Sequence, residues 1–560
     1  MDTSPLNGSK YFTPLPESYD GKTVVDEWVS IPKGHNNQSY EGEPMVTGFK
    51  RGLVLVTALG VLLRVIAVVS NGRFWFDEII TVAIARKPLH EMWAYLAVEN
   101  HPPLHYYLVH GWIALFGPGE VAVKLSSVLA GAAGIVVTGI FARRLFGVRT
   151  GLIAAGLTAL STFQIFFSSE VRMYAWLYLF GVVSLMSFWE IIRSSSWKWH
   201  VVWMVSTIAA LYTHLGGVFV LVVEVAFSVA YSLYVRAQAR KGMRNKYQMP
   251  SVPLRTVVFM MVVVCLAWLP WIIVFVREKM QTFNRNAWYF WIEPANPFPM
   301  EALRQFFFFD NYSDFIELCG WIFIVTVFTI ALLSIRRTNE RKYTVQFSMD
   351  LPTIYAMVIF IFPVFIGFFT NVLVVKVYII AGAGAYLLAS KGLSRIHVPK
   401  SFPPFLFPLM LIVFFIASDM GVLLEVRPAW KNVGGYLETN ERQADAIVIL
   451  SHSYEVALRY YYHGTMPVLP FYPLPDDTHG DTLLRAVRRN WYTILTKENV
   501  GMLNNLVEGR KRIFVVLVGN FNKVERIAPE WFFSHGWQLR SVERWEDYMV
   551  NPEVMLLEKL

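Results

Sequence analysis

The sequence predicts a polytopic α-helical membrane protein that ends in a small α/β domain. Three observations predict it. Hydrophobic residues make up 55% of the 560 residues against 16% charged, and the mean hydropathy is +0.42, outside the range of soluble domains. Apolar runs that meet or approach the ~20 residues of a spanning helix recur about eleven times, at 53–70, 120–142, 150–167, 173–192, 199–213, 217–235, 255–276, 316–335, 352–369, 373–390 and 402–420. Lys and Arg cluster in every second gap between these runs, the mark of short cytoplasmic loops.

The basic clusters fall at Lys50 and Arg51, at Arg143, Arg144 and Arg149, at Arg193 and Lys198, from Arg236 to Arg255, at Arg336, Arg337, Arg341 and Lys342, and at Lys391, Arg395 and Lys400. This alternation puts the N-terminus in the cytoplasm. It puts the loops carrying Asp77, His101, Glu170, His214 and Lys376, and everything after about residue 420, on the extracytoplasmic side. The net charge of +9 is thereby topogenic, and no nucleic-acid partner is expected. Cys265 and Cys319 lie in or beside apolar runs, which indicates neither a disulfide framework nor a cysteine metal site. Residues 1–50 are polar, without an apolar stretch near Met1, and read as a disordered cytoplasmic tail. The division is then 1–50 tail, 51–420 transmembrane domain and 421–560 extracytoplasmic domain.

Between Asp77 and Gly117 the pattern predicts two interfacial helices, one over about 78–98 and one opened by Pro102 and Pro103. A second interfacial loop runs from Arg277 to Asp314, its Trp288–Trp291 aromatics suited to a headgroup belt. The runs either side of Thr213–Gly216 form a tight hairpin or one broken helix. After residue 420, short apolar runs at 446–450, 492–495 and 513–518 alternate with amphipathic stretches around 454–462 and 498–508, which predicts a largely parallel sheet. No glycine-rich phosphate loop follows these strands, so no nucleotide site is expected.

Ionisable groups at membrane depth default to functional candidates. Asp77, Glu78, His101, His105, Glu170, Arg172, His214 and Lys376 all sit at or near the outer ends of spans. Asp77 and Glu78 are neighbours on a nascent helix, so their side chains diverge by about 100° and cannot share a target. One could serve as general base while the other holds the acceptor or a divalent cation; equally, Asp77 could cap the helix and Glu78 complement its dipole. His101 and His105 are four apart, a spacing found in metal sites and also in ordinary interfacial histidines. Glu170 and Arg172, next to Tyr174, form a structural ion pair or leave Arg172 to face a phosphate. Lys376 with Tyr378 offers a second cation at that depth, or a lysine that only snorkels.

In order, Trp75–Glu78, His101–Tyr107, Leu115–Gly117, Arg143–Gly147 and Ser169–Tyr174 resemble successive blocks of the GT-C glycosyltransferases, in the branch related to protein O-mannosyltransferases and to the lipid A aminoarabinose transferase. The blocks cover about residues 53–235; beyond them the resemblance is one of outline, with an outer domain opened by Pro428–Lys431. It implies a GT-C fold and an inverting enzyme. It implies a polyprenyl-phosphate-linked sugar as donor, mannose or another hexose or pentose, and a protein, lipid or glycan acceptor on the extracytoplasmic face. Carried over by motif, Asp77 is the catalytic base or its metal-linked partner, and Glu78 sits beside the acceptor. Arg172, Lys376, Tyr378 and His101 face the donor phosphate, with Glu170, His105, Tyr174 and His214 as further active-site candidates. A Mg or Mn ion would involve Asp77, His101 and His105. Lys376-Val377-Tyr378 departs from the family's Arg-Tyr, keeping charge without the bidentate fork. The rival class is a transporter or flippase, whose outer-face charges would line a substrate path.

Overall fold

The computed structural model describes residues 43–70, 72–99, 101–194, 196–240, 254–282, 298–308, 314–337, 343–347, 350–370, 375–396, 403, 406–423, 429–471, 481–484, 495–518, 524–545 and 551–559. The N-terminal tail expected at 1–50 lies almost wholly outside these, as do the Trp288–Trp291 belt and the strand expected at 492–495, save Leu495.

Every one of the eleven apolar runs forms helix. The bundle is built from α1 (Glu43–Ser70), α5 (Glu120–Phe146), α6 (Val148–Leu160), α7 (Thr162–Ser168), α8 (Tyr174–Ser194), α9 (Trp197–Thr213), α10 (Val218–Arg240), α11 (Leu254–Thr282), α13 (Asp314–Leu332), α14 (Leu351–Thr370), α15 (Ile379–Arg395) and α16 (Leu406–Leu423). The short α12 (Phe298–Phe308) packs among them. By length and composition, six described helices can cross a membrane, or seven if the pair α6 and α7, bent by 59°, is one span. The expected eleven is therefore not reached among the described residues. α9 has only 17 residues, and the described apolar parts of α13, α14 and α16 are shorter still. Large apolar side chains such as Leu55, Phe259, Leu266, Ile322, Phe365 and Val413 stand exposed around the bundle, the side-chain pattern of a lipid-facing surface.

The bend at Ser161 shows how the interior is satisfied. Ser161 caps α7, its hydroxyl accepting from the Gln164 N–H at 3.3 Å. The break frees carbonyls at the end of α6, and Arg64 of α1 takes them: its guanidinium donates to Thr158 at 3.1 Å and Ala159 at 3.0 Å, and to Gly60 in its own helix at 2.9 Å. Asp419 of α16 is enclosed nearby and accepts from the Thr162 hydroxyl. Arg64 and Asp419 are both fully enclosed.

The segment expected to be one helix over 78–98 is two. α2 (Phe76–Ala85) stops before Pro88 and α3 (Leu89–Glu99) starts after it, because proline cannot continue the helical hydrogen bonding of α2. α4 (Leu104–Phe116) follows Pro102 and Pro103 as the sequence suggests. Between α9 and α10 lies a single 3₁₀ turn at Leu215–Gly217, the tight-hairpin alternative. Another 3₁₀ turn, Val375–Tyr378, leads into α15. The two turns meet backbone to backbone, since a Cβ on Gly216 would lie 2.6 Å from the Val377 carbonyl. β1 (Leu333–Arg337) and β2 (Tyr343–Phe347) form a small antiparallel hairpin after α13.

From Ala429 the chain folds around a five-stranded sheet, flanked by α17 (Ala429–Asn440), α18 (Glu455–Tyr461), α19 (Leu503–Val507) and α20 (Val524–Ser534). Its strands are β3 (Ala446–Ile449), β4 (Val468–Pro470), β5 (Arg512–Val518), β6 (Trp537–Arg544) and β7 (Pro552–Lys559), in the order β4-β3-β5-β7-β6. The sheet is mixed rather than largely parallel: β4, β3 and β5 are parallel, while the consecutive β6 and β7 pair as an antiparallel hairpin, with β7 antiparallel to β5. Alternation sorts its side chains. Val448, Val515 and Leu557 pack with Phe532 of α20, whereas Ile447, Phe514 and Val516 join Trp430, Leu437 and Leu458 in a core that continues into Phe74, Phe76, Tyr95 and Val171.

Removing Arg64 alone leaves the Thr158 and Ala159 carbonyls without their donor inside the bundle. Arg64→Leu is expected to cost about 1–3 kcal/mol for each buried carbonyl left unpaired. Thermal unfolding in detergent checks this; an unchanged melting temperature would contradict it.

Candidate active site

The site is assembled at the bundle end where α1 closes, α5 opens and the 3₁₀ turns lie. Arg143, Arg144 and Arg395 of the basic clusters lie at the opposite end. There Arg143 covers the Phe49 ring at 4.6 Å, Arg144 pairs with Glu190 at 3.2 Å, and Arg395 donates to the carbonyls of Ile330, Ala331 and Leu333.

α2 begins at Phe76, so Asp77 and Glu78 stand in its first turn, where carboxylates complement the helix dipole; Trp75, in extended conformation, is the cap. The two acids diverge as helix geometry requires. Glu78 points inward. Its carboxylate takes the Trp75 N–H at 3.1 Å, the Val171 N–H at 2.7 Å and the Lys124 ammonium at 3.1 Å, with both charged side chains fully enclosed. Three donors thus occupy the Glu78 carboxylate, and it locks α2 to α5 and to the corner between α7 and α8.

Asp77 points to the other side, and 12% of its side chain remains exposed. One carboxylate oxygen lies 3.5 Å from an Arg172 terminal nitrogen. The other terminal nitrogen of Arg172 donates to the Thr81 hydroxyl at 2.9 Å and to the Asp77 carbonyl at 3.3 Å, and Thr81 donates to that same carbonyl at 2.8 Å. Burial by itself would lower the Arg172 pKa; the Asp77 charge outweighs it and raises the pKa above its ordinary value. Arg172 therefore takes Asp77 as its acidic partner, while Glu170 is buried in the bend beside it.

From Arg172 the contacts run on. His101 Nε2 accepts from the guanidinium at 3.4 Å and stands 3.8 Å from Glu99. The His101 ring lies 5.9 Å from that of His214, which lies 5.8 Å from Tyr174, and the Lys376 ammonium sits 5.6 Å over the Tyr174 ring. Asp77, Arg172, His101, His214, Tyr174 and Lys376, from five separate segments, thus form one continuous series. His214 accepts from the Gly216 N–H at 2.9 Å, and burial with the charges of Arg172 and Lys376 pushes its pKa down to about 3. Two candidates stand apart. Tyr378 is buried with its ring 4.8 Å from Phe219. His105 is fully enclosed on α4, while His101 precedes that helix, so the four-residue spacing does not put the two on one helix face.

Among the described residues no three His, Cys, Asp or Glu side chains group closely enough to hold a metal ion. Sequence reading missed Lys124, Thr81 and Glu99. Lys124 carried a signal, a lysine one turn inside an otherwise apolar span; Thr81 and Glu99 carried none.

Residues 100–271 match the family described as Dolichyl-phosphate-mannose-protein mannosyltransferase. No curated protein matches the chain by sequence. The fold is similar to that of ArnT from Cupriavidus metallidurans in the apo state, at 14% identity over 91% of this chain and 98% of that one, with a TM-score of 0.54. The same protein bound to undecaprenyl phosphate gives a TM-score of 0.55 at 14% identity, over 90% of this chain and 97% of that one. The likeness in fold to ArnT therefore extends over most of the chain, and the sequence match to the mannosyltransferase family covers residues 100–271.

His105, like His214, is pushed down to about 3, by burial and the Arg172 charge, from an ordinary value of 6.5. Between these values the unfolded chain binds the proton and the folded one does not, so stability rises with pH up to about 6.5 and is flat above it. Acidification from pH 7 to 5 is expected to lower the melting temperature, and His105→Gln to reduce the slope by up to about 1.4 kcal/mol per pH unit. An unchanged slope would count against the assignment.

Proposed function

We propose that this chain, with its GT-C glycosyltransferase fold, is an inverting membrane glycosyltransferase that moves a sugar from a polyprenyl-phosphate donor to a protein, lipid or glycan acceptor. The observation that carries the reading is the series from Asp77 to Lys376, a carboxylate at one end and a cation at the other, gathered at one end of the bundle. The undecaprenyl phosphate bound by ArnT supports a lipid-phosphate carrier. Arg144 and Arg395 at the opposite end support a cytoplasmic N-terminus, with the site and the C-terminal sheet outside.

An inverting transfer needs a base on one face of the sugar and charge stabilisation for the leaving group on the other. Asp77, partly exposed, is the base that takes the acceptor's proton, and Arg172 orients it. Lys376 is the leading phosphate contact: among the described residues it has no carboxylate partner, and as a point charge at the headgroup plane it meets phosphate without a fixed approach. His101, His214 and Tyr174 line the interval where the sugar would lie. A divalent cation is not used in this scheme, because Asp77 already faces Arg172 and no third ligand is grouped with it among the described residues. Inside the bundle, Arg64, Glu224 and Asp419 are fully enclosed rather than exposed along a path, which favours the enzyme over a transporter.

Asp77→Asn, tested in membranes with their own acceptors and labelled polyprenyl-phosphate sugars, is expected to lower transfer by about 10²–10⁴-fold at normal protein levels. Lys376→Met is expected mainly to weaken use of the donor. Full transfer by Asp77→Asn would overturn the role of Asp77.

A further inference from the structure

The C-terminal segment reaches the candidate site through α18, where neighbouring tyrosines diverge. Tyr461 crosses to the turn before α2. Its hydroxyl accepts from the Phe74 N–H at 2.8 Å, and its single proton lies between the Phe74 carbonyl, 3.1 Å away, and the Glu120 carboxylate at the start of α5. Glu120 also holds Arg73 at 2.9 Å and the Phe74 N–H at 3.3 Å. Tyr462, by contrast, turns back into its own domain, donating to Glu441 at 2.6 Å and accepting from the Met466 N–H at 2.8 Å. Tyr454 lays its ring 4.3 Å from that of Phe76 and stacks on Trp430.

Asp77 is thereby held from two sides. Phe76, just before it, packs on Tyr454, and Phe74 has both backbone groups bonded by Tyr461. Glu78, just after it, is locked to Lys124 and Val171. The turn between is stiff, since the Ile79 N–H bonds the Trp75 carbonyl at 3.0 Å and the Trp75 N–H bonds Glu78. Burial and the bond to Glu120 raise the Tyr461 pKa well above the tyrosine range, so the hydroxyl keeps its proton at any working pH.

We propose that Tyr461 is a positioning residue for Asp77, through which the C-terminal segment sets the direction of the carboxylate. The proposal rests on Asp77 as the base. Tyr461 lies far outside the residues that match the mannosyltransferase family, so the match assigns it nothing. A ring would fill the same space without the hydroxyl; what the hydroxyl adds is the fixed orientation of the Phe74 peptide groups.

The experiment compares Tyr461→Phe with Tyr462→Phe in the full-length chain, by transfer kinetics and by hydrogen exchange of the peptide spanning residues 72–82. Tyr461→Phe is expected to lower kcat about tenfold with the donor KM unchanged, and to speed exchange at 74–79 about fivefold or more. Tyr462→Phe should move neither. Equal kcat losses in both variants, unchanged exchange in Tyr461→Phe, or faster exchange with full kcat would each overturn the proposal. If Tyr461→Phe does not accumulate, Glu120→Gln, which weakens the same bond, is expected to show both changes at smaller size. Absence of any transfer by the unaltered protein would count against the glycosyltransferase reading instead, and the exchange comparison would still decide whether Tyr461 holds the turn.

Discussion

The enclosed pair of Glu78 and Lys124 is the constraint on which the site depends. Two charges removed from water carry a desolvation cost of several kcal/mol each, so the pair is weak evidence for stability as such. Its effect is on arrangement. Glu78 has three donors from three segments, the Trp75 N–H, the Val171 N–H and Lys124. Once the pair forms, the start of α2, the first turn of α5 and the corner before α8 have one relation to each other. Asp77 and Arg172, each one residue from a Glu78 contact or Glu78 itself, are brought together as a consequence.

The same economy of charge runs through the bundle. Inside it, Arg64 takes the carbonyls that the α6–α7 bend frees, and Glu224 accepts from the Trp203 indole at 2.7 Å and from Ser184 at 3.1 Å. These groups are spent on local hydrogen bonds in a medium where an unpaired polar group is costly. The charges at the Asp77 end are different in kind: Asp77 and His101 keep part of their surface, and Lys376 meets only an aromatic ring among the described residues. Partial exposure of charged groups at one end of a bundle, against full enclosure of those in its interior, is what distinguishes the two sets.

Much of this was legible in the sequence, and the limits have physical reasons. Apolar length located the helices of the bundle other than α12, because hydropathy over about 20 residues is a strong signal. It did not decide how many cross a membrane, because the bend at Ser161 depends on a tertiary partner, Arg64, more than 90 residues away. The divergence of Asp77 and Glu78 followed from helix geometry alone. Which acid faced inward did not, because that is set by Lys124, which the sequence displays as one charge in an apolar run. His101 and His105 show the converse: their spacing is one found in metal sites, and the double proline placed the first of them before the helix. The docking of Tyr461 on Phe74 had no sequence signal, since nothing local relates residues 387 apart.

The pairing of Asp77 with Arg172 bears on how the two ends of the series divide the chemistry. A guanidinium against the base would be a poor leaving-group contact, because base and phosphate must lie on opposite faces of the sugar. The structure separates a negative end from a positive end by groups without fixed charge: His214, whose pKa of about 3 keeps it neutral, and the Tyr174 ring. A sugar seated along that interval would find a proton acceptor at one end and a cation at the other without either charge neutralising its partner in advance. On the proposed reading, a lysine rather than an arginine before Tyr378 has a physical meaning. With Arg172 committed to Asp77 and Thr81, a phosphate at the other end of the proposed site would need charge and reach more than a second planar fork, which Lys376 would supply.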